Sequence, residues 1–209
     1  METILNYIKQ TYAPSGILVY GSYANGTNSE TSDFDALVVT ERATAARDNH
    51  TVVDGVRMDL FFYTPEALEG DIDLSELARI VDGTIVLDTN GALARLTARV
   101  AAHIEALPPK TDEEKAVGIA WCEKMLARAS RRDAEGLYRH HWLLTDSLEI
   151  VCDIVGWRYL GPKKMLARLE AEDAEGARLY QAALASMEHA ALADWVGHIK
   201  KIWEKSGRS

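Results

Sequence analysis

Cysteine is scarce: Cys122 and Cys152 are the only two in 209 residues. Both fall in apolar stretches of helical pattern, which reads as two buried free thiols, with one structural disulfide as the alternative. There is no Cys-x-x-Cys and no Cys/His ligand cluster, so a disulfide scaffold and a structural zinc site are excluded. Long apolar runs are missing too: none approaches ~18 residues, so no transmembrane helix is expected. The opening Met1-Glu2-Thr3-Ile4-Leu5-Asn6 has no basic segment followed by an apolar one, so no signal peptide is expected and the cytoplasm is the default compartment. Positive charge is in the minority, with 23 Lys+Arg against 32 Asp+Glu and a net charge of −9. Such a field repels phosphate backbones and disfavours general nucleic-acid binding. A cationic substrate or an acid-lined metal site fits it better. Hydrophobic residues at 47% and charged residues at 26% exclude disorder as the main state.

What is present differs between the two halves. Residues 1–107 mix short strand-like runs with helical ones. Ile17–Tyr20, Ala36–Val39, Val56–Tyr63 and Ile85–Leu87 read as strands, being rich in β-branched and aromatic residues. Asp54-Gly55 between Thr51-Val52-Val53 and the third strand reads as a tight hairpin turn. Thr64-Pro65-Glu66 is a helix start, with a cap, a proline at the first position and an acid in the first turn. Leu93, Leu96, Val100 and Ile104 mark a helix over Gly91–Leu107. Pro108-Pro109 then breaks the chain, and residues 108–209 contain no strand pattern. Thr111-x-x-Glu114 is a capping box opening a helix with Val117, Trp121 and Met125 on one face. Further helices are expected around Leu137–Val155, from Pro162, over Ala177–Leu184 and over Leu192–Ile202. The expected fold is an α/β domain with a small mixed sheet, followed by an all-α bundle of about five helices.

One stretch carries chemistry: Gly21-Ser22-Tyr23-Ala24-Asn25-Gly26, then Ser32-Asp33-Phe34-Asp35. A strand running into Gly-Ser and a helix start makes a phosphate site, because glycine admits close backbone approach and free amides point at the ligand. Asp33 and Asp35 are two apart at a strand start, so both carboxylates share one face with Phe34 on the other. Adjacent carboxylates repel unless a cation lies between them, which suits Mg²⁺. Asp59 is the single acid of an otherwise nearly apolar strand. If that strand pairs beside Asp33 and Asp35, three carboxylates converge as in a two-metal phosphoryl site.

The string Gly21-Ser22-x-Ala24-x-Gly26 … Ser32-Asp33-x-Asp35, with Asp59 on a later strand, resembles the polymerase-β-like nucleotidyltransferase superfamily over residues 15–63. The resemblance implies that Asp33 and Asp35 hold Mg²⁺ against the triphosphate of an NTP, ATP being the expected one. It implies that Ser22 and the amides around Gly21 grip the β- and γ-phosphates. Asp59 would hold a second ion or act as base on an acceptor hydroxyl, which attacks the α-phosphorus and releases pyrophosphate. The helical half resembles, in layout, that of the aminoglycoside nucleotidyltransferases. It implies a catalytic domain over 1–107 and a helical domain over 108–209 that closes on nucleotide and acceptor. The implied function is transfer of AMP to a hydroxyl of a small, aminoglycoside-like molecule, by a monomer or homodimer without a membrane partner. Nucleotidylation of a protein and a non-catalytic nucleotide-binding module are the alternatives.

Other conspicuous residues read more plainly. Lys163 and Lys164 follow Gly161-Pro162 in the first turn of a helix, where cations oppose the helix dipole. Their expected role is a second grip on the triphosphate, against a pair of solvated lysines. Glu76, Asp146 and Glu149 are candidates for an additional base, each against a solvated or capping acid. His140-His141 face different ways and suit packing rather than a shared metal, and core packing is expected for most of the five tryptophans of the second half, with stacking of one on a base or sugar as the alternative. Arg131-Arg132 reads as a solvated helix end.

Overall fold

The computed structural model describes residues 1–41 and 46–206. The chain divides into two compact units, Met1–Leu107 and Pro108–Ser209. Among the described residues the first holds a mixed sheet with helices, and the second holds helices only. No described helix is long and apolar enough to cross a membrane.

In the first unit, helix α1 (Glu2–Tyr12) precedes strand β1 (Gly16–Tyr20), the single-turn α2 (Gly21–Ala24) and β2 (Phe34–Val39). Short β3 (Arg47–Asp48) and β4 (Val52–Val53) lead into β5 (Val56–Tyr63). Then come α3 (Pro65–Glu69), a 3₁₀ turn at Ala78–Ile80, β6 (Thr84–Asp88) and α4 (Ala92–Ala106). The sheet runs β3-β5-β2-β1-β6, with β4 also on β5. β2 and β5 are parallel, and the other pairs are antiparallel. The β4–β5 connection is the Asp54-Gly55 turn, both residues at positive φ (53° and 78°), the geometry that matches the strands' twist.

Strand alternation gives each sheet face its own core. Ile17, Val19, Phe34, Ala36, Val38, Met58, Leu60 and Phe62 pack with Ile4 and Ile8 of α1. The sequence reading gave no helix to residues 2–12; Ile4 and Ile8, spaced i, i+4, are the stripe that buries it. The opposite face sets Leu18, Tyr20, Leu37 and Val39 against Leu77, Ile80 and the Leu93, Leu96, Val100 stripe of α4.

The second unit comprises α5 (Asp112–Ala129), α6 (Ala134–Val155), α7 (Pro162–Glu172), α8 (Ala174–Ser186) and α9 (His189–Lys205). Thr111 and Glu114 form the capping box of α5 with both reciprocal bonds. The buried stripe of α5 is Ile119, Cys122, Met125 and Ala129. Of the face expected from Val117, Trp121 and Met125, Met125 is buried and Trp121 packs against the core, while Val117 lies outside it, 69% exposed. Trp195 is fully buried and donates to Ser147 Oγ at 2.9 Å. His140 is buried in this core, as packing requires. Cys122 and Cys152 are buried free thiols, pushed up by burial to about 12 and about 11.

Candidate active site

The β1–β2 and β2–β5 registers bring one row of residues together. Tyr20, the last residue of β1, lies opposite Asp35, and Asp35 lies beside Asp59 on the parallel strand. Neighbouring strands are about 4.8 Å apart. That spacing sets the two carboxylates side by side, on the face that carries Leu37 and Phe61 one step further along. Phe34 points to the other face, buried and edge-on to Tyr23 at 5.2 Å between centroids. Asp33 is exposed and precedes β2, two residues from Asp35.

Asp35 is the strained member. Burial, then the charges of Asp59 and Asp33, push its carboxyl up to about 6, against the pull of Arg79 and Arg47. Tyr20 is raised as well, by burial first and then by Asp35. Asp59 is held differently, because Arg47 Nε and Nη2 donate to its two oxygens at 2.7 and 2.8 Å.

Gly21 sits at φ +68°, and a Cβ there would lie 2.5 Å from Asp35 Oδ2. Only glycine lets the chain turn from β1 into α2 at this point with the carboxylate against its backbone. Ser22 follows, half-buried in α2, its carbonyl accepting from Thr27 N at 3.0 Å. Further along the same face, Tyr20, Leu37, Phe61, Tyr63, Glu76 and Arg79 line a cavity of about 60 Å³. This places Glu76 beside the row. Asp146 lies in the second unit and accepts from Trp142 Nε1 at 2.6 Å; Glu149 is also on α6.

Residues 1–84 match the nucleotidyltransferase domain family. The first unit carries a nucleotidyltransferase domain. No curated protein matches the chain. Among solved structures it is similar to a nucleotidyltransferase-like protein from Exiguobacterium sibiricum, at 15% identity and a TM-score of 0.44, over 98% of this chain and 74% of that one.

The residues that the sequence marks for the site divide into two groups, one in the nucleotidyltransferase domain and one outside it. Gly21, Ser22, Asp33, Asp35 and Asp59 all lie in the first unit around one sheet end. Lys163 and Lys164 lie in the second unit, exposed and half-buried respectively, after Pro162 at the first position of α7. Among the described residues no three His, Cys, Asp or Glu side chains are gathered into a ready metal cage. Asp35 and Asp59 lie side by side in the strand register, with Asp33 two residues before Asp35.

Two residues of the site were absent from the sequence reading: Arg47 and Arg79. Both guanidinium groups lie over Phe61, at 4.8 and 5.8 Å from the ring centre. No local pattern marks either one. Arg47 reaches the row only because β3 pairs with β5 in the register that sets it opposite Phe61.

Proposed function

We propose that this chain transfers a nucleoside monophosphate, AMP from ATP, to a hydroxyl of a small cationic acceptor of the aminoglycoside kind, with release of pyrophosphate. The observation that carries this is Asp35 and Asp59 side by side on parallel strands, against the Gly21-Ser22 turn. The donor set fits divalent magnesium. It is all carboxylate oxygen, and one member, Asp35, is raised to about 6 by burial first and then by the charges of Asp59 and Asp33. Hard oxygen ligands and crowded negative charge are what such an ion relieves.

Asp33, Asp35 and Asp59 are the residues that would hold two Mg²⁺. Bound there, the ions would neutralise charge on the attacking and leaving oxygens of an in-line displacement. Asp35 stays against Gly21, which keeps its oxygens aimed along the row. Ser22 Oγ and the amides of the turn donate to β- and γ-phosphate oxygens and orient the triphosphate. Asp59 takes the proton of the acceptor hydroxyl, or orients it as that proton leaves. The chain's net charge of −9 supports a cationic acceptor over an anionic one.

The test is incubation with each labelled NTP and Mg²⁺ across aminoglycosides, lincosamides and proteins. The expected result is AMP on a small-molecule hydroxyl with stoichiometric pyrophosphate, lost in Asp33→Asn. Label on protein alone would replace this acceptor class with a protein. Nucleotide binding with no transfer to any acceptor would leave a binding module.

A further inference from the structure

The cation that neutralises Asp59 belongs to the chain itself. Arg47 is opposite Phe61 on the antiparallel neighbour of β5, so its side chain emerges on the face of Asp59 and Phe61. Both carboxylate oxygens are taken, Oδ1 by Nε at 2.7 Å and Oδ2 by Nη2 at 2.8 Å. This is the fork-on-fork pairing that guanidinium makes with carboxylate or phosphate. The Arg47 side chain is 49% exposed and that of Asp59 is 18% exposed. Arg47 therefore approaches from the solvent side and can leave without opening the core. The ring of Phe61, 4.8 Å below its guanidinium carbon, offers the charge a resting surface after release.

We propose that Arg47 is a gate on Asp59. Without nucleotide it occupies the oxygens that the second metal ion needs, and the triphosphate draws it off. The inference rests on the two-metal reading of Asp33, Asp35 and Asp59. A guanidinium and a divalent cation compete for one carboxylate by occupancy and by like-charge repulsion. A triphosphate presents the same fork geometry as Asp59 with more negative charge, so it wins Arg47 once it lies along the row. Asp59 is thereby freed when the leaving group is already in place, and Arg47 then faces the pyrophosphate. Arg47 is a positioning residue for the metal and a direct contact for the phosphates.

The full chain and its Arg47→Ala variant are compared with two probes: Mn²⁺ alone, by electron paramagnetic resonance, and inorganic triphosphate in EDTA, by calorimetry. Arg47→Ala is expected to bind Mn²⁺ roughly fivefold tighter, the scale of one exposed ion pair removed from competition. It is expected to bind triphosphate several-fold more weakly. Triphosphate added to the wild type should close the gap in Mn²⁺ affinity. Arg47→Lys, with one ammonium that cannot span both oxygens, should recover part of the triphosphate affinity and carries the test if the alanine variant fails to fold. Mn²⁺ binding that Asp35→Asn weakens and Arg47→Ala leaves unchanged overturns the gate but keeps the metal site. Tighter Mn²⁺ with unchanged triphosphate binding reduces Arg47 to a counter-ion and also overturns the gate. Identical Mn²⁺ binding by wild type, Asp35→Asn and Arg47→Ala overturns the metal site and the gate together.

Discussion

At Asp35 the folded chain binds a proton more tightly than the unfolded one, with a carboxyl at about 6 against 3.8. Its contribution to stability is therefore fully present below about pH 3.8 and lost as pH rises through about 6. Asp35→Asn removes the charge and keeps the shape. The variant is expected to melt above the wild type at pH 7–8 without metal, and the difference should vanish near pH 4. Melting curves across pH measure this directly. Activity should move the other way, with Mg²⁺-dependent transfer abolished in Asp35→Asn as in Asp33→Asn. Gly21→Ala is expected to cost more than 1 kcal/mol, because alanine resists φ +68° and its Cβ meets Asp35 Oδ2. Its Mn²⁺ affinity should also fall, since the carboxylate must shift. Denaturant titration and metal titration of the same variant read the two effects.

Among the elements, helix starts follow local chemistry closely. Thr111 accepts from Glu114 N at 3.2 Å, and Glu114 Oε2 accepts from Thr111 N at 2.8 Å. Thr111→Ala is expected to lose about 1 kcal/mol of the second unit's stability, read by chemical denaturation. At α7 the sequence breaks the dipole rule with Lys163 and Lys164 in the first turn. If they grip phosphate, Lys163→Ala or Lys164→Ala weakens NTP binding more than binding of the matching nucleoside; equal effects on both would remove that role. Signals of this kind are legible because caps, proline at the first position and Asp-Gly turns act within four residues. Helix α1 and the buried stripe of α5 were less legible. Apolar residues lie on more than one face of each, and the neighbour to be packed decides which face is buried.

For the molecule as a whole, the apolar cores respect the two units. Every residue of the core around Leu148 and Trp195 comes from the second unit, and both sheet-face cores come from the first. Residues 108–209 expressed alone are therefore expected to keep their helical circular dichroism and unfold cooperatively. A non-cooperative melt of that fragment would show that its core depends on residues 1–107.

By itself the sequence determined what depends on neighbours along the chain. It specified the strand runs, the caps, the Asp54-Gly55 hairpin, the α/β-then-helical order and the Gly-Ser … Asp-x-Asp spacing, because periodicity and capping are short-range. The tertiary structure alone decided which strand lies beside which. Parallel pairing of β2 with β5 sets Asp59 next to Asp35, although 23 residues separate them. The antiparallel pairing of β3 on the other side of β5 hands Asp59 to Arg47, while Asp35 is left to burial and then to its neighbours' repulsion. Charge acts through space, so the state of each carboxylate is settled by the register of the sheet and not by the spacing of the motif.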